Sequence, residues 1–93
     1  MDENDNTDDL PRARVTLYTR PGCHLCEEAK QAMLAALCAG EYTLEEVNID
    51  LDPDLMRRYG WDIPVVSING VETFKHRFTP SEFTREVRRA NSR

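Results

Sequence analysis

Val15-Thr16-Leu17-Tyr18-Thr19-Arg20-Pro21-Gly22-Cys23-His24-Leu25-Cys26 is the stretch on which the fold turns. Its first five residues are mostly β-branched or aromatic and predict a strand, which Pro21-Gly22 ends as a turn. Beyond the turn, Leu25, Ala29, Ala32, Met33, Ala36 and Leu37 recur at helical spacing. They predict a helix from Cys23 to Ala39 with one buried stripe and Gly40 as its C-cap. A strand therefore feeds a helix through a turn, and two cysteines sit where the helix begins.

Working outward, Tyr42, Leu44, Val47 and Ile49 alternate loosely and predict a second strand, which Asp50 to Asp52 leave. Asp52 can cap a short helix with Pro53 in its first position, Leu55, Met56 and Tyr59 on its inner face and Gly60 at its end. Val65 to Ile68 and Val71 to Phe74 flank Asn69-Gly70, the strongest short hairpin signal, so the register of that pair is nearly fixed. Thr79-Pro80-Ser81-Glu82 is a capping box that opens a last helix, with Phe83, Val87 and Ala90 as the buried face. The order is βαβαββα. A crossover through a helix makes its two strands parallel, and the hairpin adds antiparallel ones. The fold class is α/β, a mixed four-stranded sheet flanked by helices.

Cysteines at i and i+3 across the first turn of a helix share a face, so their sulfurs can meet with little backbone movement. Cys23 lies at the helix start, where unpaired N–H groups and the helix dipole favour a thiolate. A thiol of pKa near 8.5 is only about 3% thiolate at pH 7, and lowering it to about 7 makes half the population reactive. Cys23 is the expected nucleophile. Cys26, one turn deeper, suits the resolving step, attack on a mixed disulfide that releases the substrate. Glu27 and Glu28 oppose the thiolate, by a few tenths of a kcal/mol each as exposed charges. His24 is expected to tune the pair, and His76 to be a solvated bystander; the sequence places no carboxylate beside either.

A zinc site wants four ligands, and one Cys-x-x-Cys supplies two. Cys38, 12 residues past Cys26 on the same predicted helix and roughly 18 Å away, cannot complete it and reads as a core residue. No metal is expected.

Ninety-three residues, 40% hydrophobic and 31% charged, suit one domain with one core. Residues 1–12 read as a disordered acidic tail, carrying Asp2, Glu3, Asp5, Asp8 and Asp9 with little to pack, and residues 13–93 as the folded domain. The net charge of −5 argues against nonspecific nucleic-acid binding. The basic residues from Lys75 onward read as a solvated helix face. No apolar run approaches a membrane span, and no secretory signal opens the chain. Three cysteines are too few for the disulfide framework of a small secreted domain. Together these predict a cytoplasmic domain with no membrane or nucleic-acid partner.

With the strand and Cys23-His24-Leu25-Cys26, the following helix and Ile63-Pro64-Val65-Val66, the chain resembles the glutaredoxin-like branch of the thioredoxin fold over about residues 13 to 90. It is most similar to short bacterial glutaredoxin-like proteins with a CHLC motif. The resemblance implies a dithiol-disulfide oxidoreductase, acting on disulfide-containing proteins or glutathione, supplied with electrons by glutathione or a reductase. It implies a monomer with no tightly bound cofactor. It also implies that Pro64 is cis and faces the cysteines, that the Ile63 backbone pairs with an extended substrate, and that Arg20 holds a glutathione carboxylate. An alternative is a thiol-dependent binding module or a glutathione-assisted iron-sulfur carrier. The departure from the family is Arg77-Phe78-Thr79-Pro80-Ser81, where glutaredoxins carry a Gly-Gly-x-Asp type of turn for the glutathione γ-glutamyl end. Trp61 is expected to pack on the second helix.

Overall fold

The computed structural model describes residues 12–92; the acidic tail expected before Arg12 otherwise lies outside them. Four strands, β1 (Ala13–Thr19), β2 (Tyr42–Asn48), β3 (Val65–Ile68) and β4 (Val71–Lys75), alternate with three helices, α1 (His24–Ala35), α2 (Pro53–Tyr59) and α3 (Pro80–Asn91). A single 3-10 turn, Ile49–Leu51, joins β2 to α2. The sheet runs β2-β1-β3-β4. β1 and β2 are parallel, with Thr19 opposite Asn48, and β3 is antiparallel to both β1 and β4. The mixed α/β sheet expected from the sequence is the one observed.

Alternation along β1 divides the interior into two unequal parts. Ala13, Val15 and Leu17 point to one face, where they meet Ala29, Met33 and Ala36 of the α1 region and Phe83 and Val87 of α3. Tyr18, on the other face, joins a smaller cluster of Ile49, Tyr59 and Val65, with Leu55 and Ile63 at its margin. Phe83 is fully buried and holds Tyr42 edge-on at 5.0 Å and Phe78 at 5.7 Å between ring centres. Such pairs add to the stabilisation from burying the rings themselves.

Local signals predict element boundaries well where the chain is self-contained. The Asn69-Gly70 turn has both residues at positive φ, 53° and 83°, as a two-residue hairpin requires. One β4 residue is skipped opposite the Val66/Ser67 step, a bulge in the ladder. The Asp52 side chain caps α2, Pro53 opens it and Gly60 closes it. The Thr79 hydroxyl accepts from the Glu82 amide while the Glu82 carboxylate accepts from the Thr79 amide, completing the capping box.

Three expectations need correction. α1 stops at Ala35, with Ala36 as C-cap, rather than running to Ala39 and Gly40. The cause is tertiary: the Leu37 amide donates to the Thr84 hydroxyl, and Arg88 donates to the Leu37 carbonyl while gripping Glu41. Leu37 is consequently 82% exposed, while Cys38, beyond the helix, is fully buried as expected of a core residue. Met56 also lies at the surface, leaving Leu55 and Tyr59 as the inward face of α2. Trp61 does not pack on the second helix; at 94% exposure it stands in solvent. Arg88 lies on the exposed helix face expected of this segment and is tied there to Glu41 at 3.1 Å.

Candidate active site

Parallel β1 and β2 end together, and antiparallel β3 begins where they end. The segments Arg20 to His24, Ile49 to Leu51, Trp61 to Pro64 and Lys75 to Phe78 therefore gather at one end of the sheet. This is where the sequence-predicted residues meet.

Cys23 is the N-cap residue of α1, with extended backbone angles (φ −83°, ψ 113°), and its Sγ accepts the Cys26 amide N–H at 3.2 Å. A sulfur in the N-cap position takes the role a Ser or Asp oxygen normally takes, and the same donor that satisfies the helix end favours negative charge on that sulfur. Cys23 and Cys26 are joined as a disulfide with Cα atoms 5.2 Å apart. Their exposure differs: Cys23 is half-buried, whereas Cys26 is fully buried. An incoming reagent can reach the first sulfur and not the second. The Gly22 backbone before the pair, at φ 80°, is in the left-handed region that a glycine enters without penalty.

Around the pair, charges are compensated locally. His24 Nε2 lies 3.2 Å from Glu28 Oε2, a carboxylate partner missed in the sequence although its i,i+4 spacing was there to read. Glu27 and Glu46 both pair with Lys30, and hydrogen bonding to Glu46 above all holds the Lys30 ammonium above the usual lysine range. The Arg20 guanidinium meets Asp50 through Nε at 3.0 Å and Nη2 at 2.9 Å. Asp50 was not predicted as a site residue, because its meeting with Arg20 depends on the β1–β2 register.

The Ile63–Pro64 peptide is cis and Pro64 is fully buried. The Ile63 amide donates to the Tyr59 carbonyl at 3.1 Å, so its N–H is already used and only its carbonyl remains to pair with a substrate. The Pro64 carbonyl accepts from the His76 amide, and the His76 ring nitrogen Nε2 lies 3.3 Å from the Trp61 carbonyl oxygen. His76 is exposed, as expected, and is also a structural link at positive φ, 65°. Beneath this loop, Tyr59 stacks on Tyr18 at 4.4 Å. Burial, then the neighbouring Glu72 carboxylate, pushes the Tyr59 hydroxyl up to about 12.

A cleft of about 360 Å³ opens between α1 and the turn before α3, lined by Glu28, His76, Arg77, Phe78, Thr79 and Glu82. Phe78 stacks on Phe74 at 4.7 Å, and the Thr79 hydroxyl and amide are both engaged by the capping box. Among the described residues, no group of three or more His, Cys, Asp or Glu side chains converges to hold a metal ion. Nor is any helix among them long and apolar enough to cross a membrane.

Comparison with known proteins agrees with this geometry. A family model described as glutaredoxin-like domain (DUF836) matches residues 14–88. A curated glutaredoxin-like protein of Dictyostelium discoideum is 33% identical over an alignment of 69 residues that covers 68% of this chain and 64% of that relative. The chain thus spans a little under two thirds of that relative's length. Among solved structures, a structural-genomics target protein from X. campestris superposes with a TM-score of 0.68 at 31% identity, covering 81% of this chain and 96% of the other. A mutant thioredoxin from Halobacterium salinarum superposes with a TM-score of 0.65, covering 98% of this chain and 85% of its own, at only 10% identity. That last likeness establishes the thioredoxin-like fold alone.

Proposed function

The chain belongs to the glutaredoxin-like domain family, and from that premise we propose that it is a dithiol-disulfide oxidoreductase that reduces protein or small-molecule disulfides. The observation that carries the reading is the asymmetry of the pair: a half-exposed Cys23 sulfur receiving a helix amide, and a fully buried Cys26 within bonding reach of it.

In the reduced protein the Cys23 thiolate attacks one sulfur of a substrate disulfide. A Cys23–substrate bond forms, and the other substrate sulfur leaves as a thiolate. Cys26 then attacks Cys23 Sγ and expels the second substrate sulfur, which takes up the Cys26 proton and leaves as a thiol. Two electrons have moved to the substrate, and Cys23–Cys26 is left oxidised. A dithiol, glutathione or a reductase returns the two electrons. Pro64 and the Ile63 carbonyl shape the wall opposite the sulfurs, Arg20 borders the opening, and His24 with Glu28 sets the local charge. Such a cycle suits a reducing compartment, the cytoplasm, and a monomer with no tightly bound cofactor, no nucleic acid and no membrane partner.

The test is single-turnover reduction of a disulfide by the prereduced protein, with alkylation measured in parallel. Cys23 is expected to alkylate at pH 7 at least about tenfold faster than a free thiol. Cys26→Ser should accumulate a mixed disulfide on Cys23 that mass spectrometry detects. A Cys23 no more reactive than free cysteine, with no disulfide reduced, overturns the proposal.

A further inference from the structure

Deepening the oxidoreductase reading, on which it rests, we infer that the substrate is a polypeptide disulfide carrying an apolar residue beside its cysteine, and that Trp61 is the residue that selects it. Three observations at the thiol end of the sheet converge on this choice of occupant.

The first is Trp61 itself. Its indole is 94% exposed although the residue is fixed in place. Its carbonyl is bonded to His76, the next residue Asp62 pairs with Lys75 at 3.4 Å, and the Asp62 and Ile63 amides both return to Tyr59. A large aromatic surface held by ordered backbone gains by covering an apolar group and loses little entropy in doing so. Of the other strongly exposed apolar side chains, Leu34 and Leu37 lie at and beyond the far end of α1, and Leu51 closes the 3-10 turn after β2; Trp61 is the most exposed of them and belongs to the segment that runs directly into Pro64.

The second is the state of the groups that would recognise a small anionic thiol. Arg20 is bound through two nitrogens to Asp50, so a free carboxylate must displace an existing ion pair to reach it. The third is the start of α3. There the Thr79 amide donates to the Glu82 carboxylate, the Glu82 amide donates to the Thr79 hydroxyl oxygen, and Pro80 has no N–H. Few backbone donors remain there for an amino-acid carboxylate, and the adjoining cleft is bordered by Glu28 and Glu82, which repel one, as well as by Arg77, which attracts one. Recognition by charge thus competes with an existing ion pair at Arg20 and with two carboxylates beside Arg77, while recognition by apolar contact stands open at Trp61. A main-chain carbonyl at Ile63 suits an extended peptide as well.

The experiment uses the whole chain, reduced with dithiothreitol and desalted, so that its own two thiols supply the electrons. Second-order rate constants are measured for three oxidised substrates: a capped peptide disulfide with Leu beside the cysteine, its Ser counterpart, and glutathione disulfide. The Leu peptide is expected to react about tenfold faster than the other two, equivalent to about 1.4 kcal/mol of extra binding in the transition state. In W61S that preference should fall at least fivefold, and in W61F most of it should remain. Far-UV circular dichroism checks that each variant is folded. A preference in W61S equal to that of the native chain, or glutathione disulfide reacting fastest in the native chain, overturns the selection by Trp61 and leaves the oxidoreductase reading standing. If none of the three substrates is reduced, the oxidoreductase reading itself falls, and the inference with it.

Discussion

The two walls of the proposed thiol site rest on very different foundations. The cysteine wall is the first turn of α1, whose Cys26 is fully buried and whose next turns deliver Ala29 and Met33 to a cluster of eleven buried residues. The opposite wall, Trp61 to Pro64, hangs from Tyr59 and a cluster of only three, Ile49, Tyr59 and Val65. Both faces belong to one sheet, and the difference follows from β1 alternation with helices of unequal length on each side. One wall holds its two sulfurs at fixed depth. The other has few buried contacts behind it, which is the condition for local opening at less than the cost of global unfolding.

The sharpest way to break this contrast is to remove a ring from the large core. Phe83→Ala should cost about 3–5 kcal/mol in global stability by denaturant unfolding, since a fully buried aromatic with two ring partners is lost. Amide exchange should rise across both walls together. If exchange rose only near α3, the large core would not be the cooperative unit described above.

Ile49→Ala strikes the small cluster. The expected cost is about 2–3 kcal/mol, toward the lower end for such a truncation because a cluster with partly exposed margins can collapse into the space. The discriminating readout is local. The Asp62 and Ile63 amides should lose protection by more than the α1 amides from Ala29 to Met33, and a uniform loss would show the two walls to be one unit.

Alkaline pH loosens the same cluster by titration. Tyr59 is 4% exposed and its hydroxyl is pushed up to about 12, so between its ordinary value near 10 and about 12 the folded chain keeps a proton that the unfolded chain has lost. The contribution is present in full below pH 10 and disappears as the pH rises through 12, about 3 kcal/mol over the interval. Tyr59→Phe should remove one proton from the slope of stability against pH in that window, measured on the disulfide form so that Cys23 and Cys26 do not titrate. An unchanged slope would mean that Tyr59 already titrates as a solvated phenol.

These foundations were readable in the sequence to different degrees. Asn69-Gly70, Asp52-Pro53 and Thr79 to Glu82 specify backbone geometry within four residues, and each appears where expected. The Cys23 position is equally local, because a turn and the first helical periodicity fix it. The end of α1 was not legible: Ala36 to Ala39 continue a helical pattern, and what stops it comes from Thr84 and Arg88, 47 and 51 residues away from Leu37. Trp61 was misread for a related reason. Hydrophobicity predicts burial on average, and α2 is too short to offer this ring a surface, so only the completed fold leaves it bare.

The smallest effect tests whether the two walls are coupled. Arg20 belongs to the cysteine loop, while Asp50 follows Ile49 of the small cluster, so their ion pair ties one foundation to the other. Both side chains are more than a third exposed or close to it, and the pair should contribute no more than about 0.5 kcal/mol to stability. Asp50→Asn keeps the shape and the Asn48 contact to the backbone amide of residue 50 while releasing the guanidinium. Unfolding should move within that 0.5 kcal/mol, whereas the rate with glutathione disulfide should rise about two- to threefold as Arg20 becomes available to a carboxylate. The capped Leu peptide, which carries no carboxylate, should react at its native rate. A rise for both substrates would mean instead that the ion pair restrains the loop holding Cys23. A rise for neither would mean that Arg20, freed or not, lies outside the path of the substrate.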